Sequence, residues 1–212
     1  MDRGLKRGDG VICGRCDWCG NDPLYQAYHD TEWGVPERDG RALWEMLILE
    51  GFQAGLSWIT ILRKRAAFRA AFAGFEPAIV AGWGAREVDA LMRDRGIVRH
   101  RGKIVSTIGN AQAWLAVEDE IAGGFSGYMW SFVDGTPLRN RPERPADIPT
   151  RTDLSLRISR DLKRRGFRFC GPTTVYAFLQ AAGLVNDHLT ECFRHEPIAA
   201  MGAGERTCRP RH

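Results

Sequence analysis

The chain has 212 residues, 44% of them hydrophobic, which suits one globular domain with a sizeable core and is too apolar for a disordered body. Its 30 Lys and Arg against 26 Asp and Glu permit nucleic-acid binding without demonstrating it, because an ordinary solvated surface carries the same balance. The N-terminus lacks the apolar run of a secretory signal, and no stretch approaches about 18 consecutive apolar residues. A cytoplasmic protein without membrane contact is therefore expected, with its six cysteines serving as thiols or metal ligands rather than disulfides.

Residues 1–12 are charged and glycine-rich and read as a basic N-terminal tail. Beyond them, apolar residues recur at helical spacing and strand-like alternation is scarce. The expected fold is all-α, with a single domain over residues 13–196 in two helical lobes and a C-terminal tail over 197–212. Asp39 is placed to cap a helix carrying Leu43, Leu47 and Glu50. Ser57 caps the next, with Trp58, Ile61, Leu62, Phe68 and Phe72 on one side. Pro77 suits the first turn of a short helix, another runs near Glu87 to Arg93, and a longer one carries Ile104, Ile108, Ala111 and Leu115. Asp134-Gly135 marks a turn. Pro137, Pro142, Pro145 and Pro149 then make an irregular connection, and helices resume at Thr152 with Leu154, Ile158 and Leu162 on one line.

His188 and Cys192 are four residues apart, which on a helix puts both on one face and lets them share a zinc ion. Two completions compete. Cys16 and His29 would give a Cys₂His₂ site tying the chain ends together, whereas Cys13, Cys16, Cys19 and His29 could form a local cluster. Buried Cys and His that merely pack are the plain alternative. Four protein ligands leave no open position, so such a site is structural.

Glu50 falls on an apolar line, where an acid is costly unless paired. Either it reaches water or an arginine, or it is a recognition or catalytic group in a cleft. The connection from Gly51 to Trp58 contains two glycines, which allow close approach of a backbone or ligand. Leu56 there could be an exposed wedge of the kind inserted between base steps, or could fold onto the core. Trp58, Tyr25, Tyr28 and Trp33 add aromatic faces that could line one pocket. Residues 160–182 read as a helix, a tight Gly166…Gly171 connection and a second helix opened by Pro172 or Thr173. Free N–H groups at that helix start, with Lys163, Arg164, Arg165 and Arg168, suit a phosphate; a plain structural hairpin is the alternative.

Taken in order, these residues resemble the 3-methyladenine DNA glycosylase I family over about residues 15–193. The resemblance is carried by Arg15-Cys16-x-Trp18, Asp22-Pro23-Leu24-Tyr25, Tyr28-His29-Asp30 and Glu32-Trp33-Gly34-Val35-Pro36. It continues in Leu49-Glu50-Gly51-x-Gln53-Ala54-Gly55-Leu56-Ser57-Trp58, Gly96-Ile97-x-Arg99-His100-Arg101-Gly102-Lys103-Ile104, Trp130-Ser131-Phe132 and Gly183-Leu184-Val185-Asn186-Asp187-His188. The resemblance implies a helix-hairpin-helix glycosylase fold and a structural Zn²⁺ on Cys16, His29, His188 and Cys192; Cys13 and Cys19 depart from the pattern. It implies Glu50 as the catalytic-site acid, Tyr28 and Trp58 with Tyr25 and Trp33 as substrate-binding residues, and a DNA-facing turn at Gln53, Gly55 and Leu56. Arg168, Gly171 and Thr173 are the expected phosphate contacts. The implied activity is hydrolysis of the N-glycosidic bond of 3-methyladenine in double-stranded DNA by a monomer without lyase activity. Two rivals are a catalytically inactive zinc protein that binds lesions and a helical zinc protein with a peptide partner. The joint presence of Glu50, Tyr28 and Trp58 argues against both.

Overall fold

The computed structural model describes residues 14–203 of the chain. The expected basic tail and Cys13 lie outside these residues. Ten helices run through them: α1 (Pro23–Thr31), α2 (Gly40–Gln53), α3 (Trp58–Ala71), α4 (Pro77–Val80), α5 (Ala85–Leu91), α6 (Arg101–Glu120), α7 (Gly124–Ser131), α8 (Asp153–Arg164), α9 (Pro172–Ala181) and α10 (His195–Ala203). The all-α expectation holds. The only strands among the described residues are β1 (Leu138–Arg139) and β2 (Val185–Asn186), paired in parallel with Leu138 opposite Val185. Two residues per strand are too few for an alternation to be visible in the sequence.

Helix starts follow side-chain chemistry. Asp22 caps α1 by accepting from the Leu24 and Tyr25 amides, and Pro23 supplies a pre-set first turn. Asp39 caps α2 through the Ala42 amide. Thr152 and Ser155 exchange hydrogen bonds at the start of α8. Ser57 stands at the start of α3 as expected, but its hydroxyl pairs with the Thr60 hydroxyl at 2.8 Å rather than with a backbone amide.

Helix α2 is the centre of the molecule. It packs against α3, α6, α7 and α9. Leu43, Trp44 and every residue from Leu47 to Phe52 are buried. The stretch from Leu47 to Phe52 is buried on every side and must be apolar around its circumference, and Glu50 is the one charged residue in it. Beside it, Phe52, Phe68, Phe72 and Phe75 form a run of rings 4.8–6.2 Å apart between centroids, closed by Trp44 and Trp83. Gly51 has no side chain because the α8–α9 hairpin lies on it; a Cβ there would meet the Phe169 carbonyl oxygen at 3.3 Å.

Two expectations are corrected. His188 and Cys192 lie not on a helix but on a turn after β2, closed by the Cys192 amide donating to the Leu189 carbonyl at 2.8 Å. The four-residue spacing brings the side chains together all the same. The segment from residue 197 does not begin as a tail, since it continues α10, whose Ile198 is buried beside Gly34. Pro197 and the small residues after it concealed the helix, and the apolar contact of Ile198 is what docks it.

Candidate active site

The N-terminal arm and the turn after β2 meet at four buried side chains, Cys16, His29, His188 and Cys192, whose ligand atoms all lie within 4.8 Å of one another. Cys192 Sγ is 3.4 Å from both His29 Nε2 and His188 Nδ1, and Cys16 Sγ is 3.7 Å from His188 Nδ1. An ion with Zn–S near 2.3 Å and Zn–N near 2.05 Å at tetrahedral angles requires S···N separations of about 3.6 Å, so the donor set fits. The outer contacts also fit: the far nitrogens of the rings face the Asp30 carboxylate at 2.8 Å and the Trp33 carbonyl at 3.1 Å. The Leu189 and Arg194 amides donate to the two sulfurs. The contact between the two sulfurs raises the Cys16 thiol and lowers that of Cys192. Cys19 is buried apart from the four and donates to the Cys16 carbonyl.

Tying down the arm creates a slot. Trp18, Tyr25, Tyr28, Trp33, Glu50, Gln53, Trp58, Ala177 and Gln180, with Pro145 and Ile148 at its mouth, line a cavity of about 330 Å³. Trp18 stands edge-on to Tyr25 and Trp33 at 5.0 Å, and Tyr28 lies 5.5 Å from Trp58. Glu50 comes from the buried centre of α2 and is only 5% exposed. Its Oε2 has no hydrogen-bond partner among the described residues. No cation offsets this burial, so desolvation alone pushes its carboxyl up to about 8. Burial, and then the nearby Glu50, raise Tyr25 to about 12 and Tyr28 well above the usual phenol value, so both phenols keep their protons. Trp58 Nε1 is a second buried polar atom without a partner.

Below the slot α2 ends in a turn. Gly55 takes φ +88°, the Leu56 amide donates to the Gln53 carbonyl, and the Leu56 side chain is 43% exposed. Lys103 is buried and gives its ammonium to the Phe52 and Ala54 carbonyls at 2.8 Å each, closing the C-terminal end of α2 with a cation. The hairpin is held similarly. Asn110 of α6 donates to the Arg168 carbonyl at 3.1 Å and accepts from the Arg168 amide at 2.7 Å. Phe169 is thereby held at φ +54°, a backbone that costs a side chain about 1–2 kcal/mol. Arg168 and Thr173 are exposed on this hairpin, Gly171 precedes the first turn of α9, and Pro172 opens it. Lys103→Met is expected to lower stability by roughly 2 kcal/mol by orphaning two carbonyls. Denaturant titration would measure the loss.

Sequence reasoning brought Tyr25, Tyr28, Trp33, Glu50 and Trp58 into one pocket, and the structure joins them there. Gln53, expected to face DNA, also lines the slot. The reading missed Ala177 and Gln180, which are three apart on α9 and so share a face. Their signal was hidden because the helix drew attention only for its N-terminus. It also missed Ile148 and Pro145 in the irregular connection.

An all-helical protein with a base-sized aromatic slot and a buried acid has clear relatives. The profile described as methyladenine glycosylase matches residues 18–195. DNA-3-methyladenine glycosylase 1 of Escherichia coli (strain K12) is 51% identical over 178 residues, which are 84% of this chain and 95% of that protein. A crystal structure of 3-methyladenine DNA glycosylase I superposes with a TM-score of 0.84 at 53% identity, covering 86% of this chain and 100% of the other. A tyrosine-to-phenylalanine variant of another 3-methyladenine DNA glycosylase I, in complex with 3-methyladenine, superposes at 0.83 with 42% identity, covering 85% and 97%. The chain belongs to the methyladenine glycosylase family.

Proposed function

We propose that the chain hydrolyses the N-glycosidic bond of 3-methyladenine in alkylated double-stranded DNA, acting as a monomer that leaves an intact abasic strand. The observation that carries this reading is a buried, unpartnered carboxyl group at the edge of an aromatic slot, in a chain whose relatives are named for this activity.

A base inside a duplex must leave the stack to reach such a slot. Methylation at N3 makes adenine cationic, so it pairs poorly and costs less to extrude. Leu56 would fill the gap left behind, while Arg168 and the helix start at Gly171 and Thr173 hold a phosphate. The base cation stacks on Trp58 and Tyr28, a contact of roughly 0.5–2 kcal/mol. Water then attacks C1′, the C1′–N9 bond breaks, and its electron pair neutralises the base; the proton lost by the water passes to solvent. Activation resides largely in the substrate. An anionic Glu50 would stabilise the bound cation more than charge developing on the sugar, so its work is recognition of the base. No lysine lines the slot, in keeping with release of the base without strand cleavage.

Cys16, His29, His188 and Cys192 would hold one structural Zn²⁺, which supplies no step of the reaction. These four residues keep the N-terminal arm, and with it Trp18, Tyr25 and Tyr28, against the slot.

The test is incubation of the purified chain with N3-methylated duplex DNA. Free 3-methyladenine and alkali-labile abasic sites are expected. Binding without release would make the chain a lesion-binding protein, and prompt nicking would contradict the monofunctional mechanism. Leu56→Ala is expected to lower turnover on duplex DNA about tenfold while leaving affinity for free 3-methyladenine unchanged. A proportional loss of both would place Leu56 in the base slot instead.

A further inference from the structure

The slot needs a group that tells an amino-bearing base from an oxo-bearing one, and Glu50 is poorly suited to do this alone. With its carboxyl at about 8, it can donate when protonated and accept when ionised. It can therefore meet either the amino group of adenine or the carbonyl oxygen of guanine. Tyr25 and Tyr28 can also turn their hydroxyls either way, and no hydrogen bond fixes the Gln53 amide. The indole N–H groups can only donate, which favours an oxo group.

Gln180 differs from all of these. It lines the slot from α9, and its Nε2 donates to Asp187 Oδ2 at 2.7 Å. Asp187 is buried and accepts two further hydrogen bonds: the Tyr176 hydroxyl donates to the same oxygen at 2.5 Å and Asn140 Nδ2 donates to the other at 2.6 Å. A carboxylate has nothing to give back, so the Gln180 amide cannot be flipped without losing its partner. Among the described residues its Oε1 has no hydrogen-bond partner. Among the described side chains lining the slot, the Gln180 amide oxygen is thus the one locked as an acceptor, and it is locked from outside the slot.

We propose that Gln180 is a specificity-determining residue, presenting its amide oxygen to the exocyclic amino group of the flipped base, and that Asp187 is the positioning residue that fixes this orientation. The inference rests on the proposed glycosylase function and adds to it the origin of adenine selectivity. An oxo group at the same place would set oxygen against oxygen, and a site built to receive a donor discriminates sharply against a ligand lacking it.

The experiment uses the full chain and two free bases, 3-methyladenine and 3-methylhypoxanthine, which differ in carrying an amino or an oxo group. Affinities are read by quenching of tryptophan fluorescence, with melting curves as the folding control. The unmodified chain is expected to prefer 3-methyladenine. Gln180→Met, which removes the acceptor at nearly constant shape, should reduce that preference about tenfold. Asp187→Asn, which lets the amide turn its nitrogen into the slot, should reduce it by at least as much. An unchanged preference, or an equal fall in both affinities, overturns the role of Gln180. Separately, release of 3-methyladenine from alkylated DNA by the unmodified chain decides the glycosylase reading. Release with an unchanged preference in both variants would sink the specificity proposal alone, and absence of both release and base binding would sink the two together.

Discussion

Glu50→Gln is expected to make the ligand-free protein more stable above pH 8 and weaker toward its base. The folded carboxyl is raised from 4.5 to about 8 by burial. Below pH 4.5 the acid is neutral in both folded and unfolded chains and costs nothing extra. As pH climbs from 4.5 to 8 the unfolded chain ionises while the folded chain holds its proton, so stability is lost progressively up to the folded value. The full penalty is roughly 5 kcal/mol, at 1.36 kcal/mol for each pH unit of displacement. Glutamine does not ionise, so its melting temperature should stay flat across the window where that of the parent declines. The same substitution removes the group that a cationic base converts to its anion, so affinity for N3-methylated DNA should fall and lose its rise with pH near 8. Parallel melting curves for the two proteins would show that Glu50 is not a buried neutral acid. Loss of turnover with undiminished affinity for free 3-methyladenine would show that its work is chemical rather than recognition.

Removing the proposed zinc is expected to have the larger effect on structure. Structural zinc sites of this donor type bind with on the order of 10–16 kcal/mol, comparable to the whole stability of an ordinary domain at about 5–15 kcal/mol. His188→Ala, or treatment with a strong chelator, should therefore release one zinc per chain and loosen the arm around Cys16. Trp18, Tyr25 and Tyr28 should move away from the slot. The readouts are metal emission, near-ultraviolet circular dichroism and base affinity, which should fall together. Because thiolates and neutral imidazoles are the ligands, acid should release the ion as protons compete for them. Fully folded, active protein with no metal by emission would overturn the assignment. Cys19→Ser serves as the control, since Cys19 lies outside the four-ligand set, and should retain the ion.

Much of this arrangement was legible in the sequence because its determinants are local. Asp39 and Thr152 declare helix starts through side-chain oxygens. Gly55 and Leu56 announce a turn, and Glu50 stands out as a charge on an apolar line. The pairing of Cys16 and His29 with His188 and Cys192 was not decided by spacing, since the partners lie more than 150 residues apart; resemblance favoured it over the local cluster, and the structure brings the four together. What the sequence concealed depends on neighbours. The turn at His188 looked helical because two ligands at a four-residue spacing suit either conformation. Ile198 looked like part of a tail because its burial depends on Gly34, far away in the chain. Gln180 passed unnoticed because an amide gains meaning only from what holds it, and Asp187 reaches it across a turn.

The slot draws Tyr25 from one end of the polypeptide and Gln180 from the other, and the cluster beneath it joins residue 16 to residue 192. Contacts so remote in sequence form late, because long loops must close before anything rewards the closure. During synthesis, Glu50 and the Leu56 turn emerge early, and the hairpin around Arg168 somewhat later, but none of them can be joined into a reader of bases until Cys192 has left the ribosome. A chain interrupted before that point would keep the hairpin around Arg168 without a closed slot, and so, on the proposed function, could touch a genome without cutting a base from it.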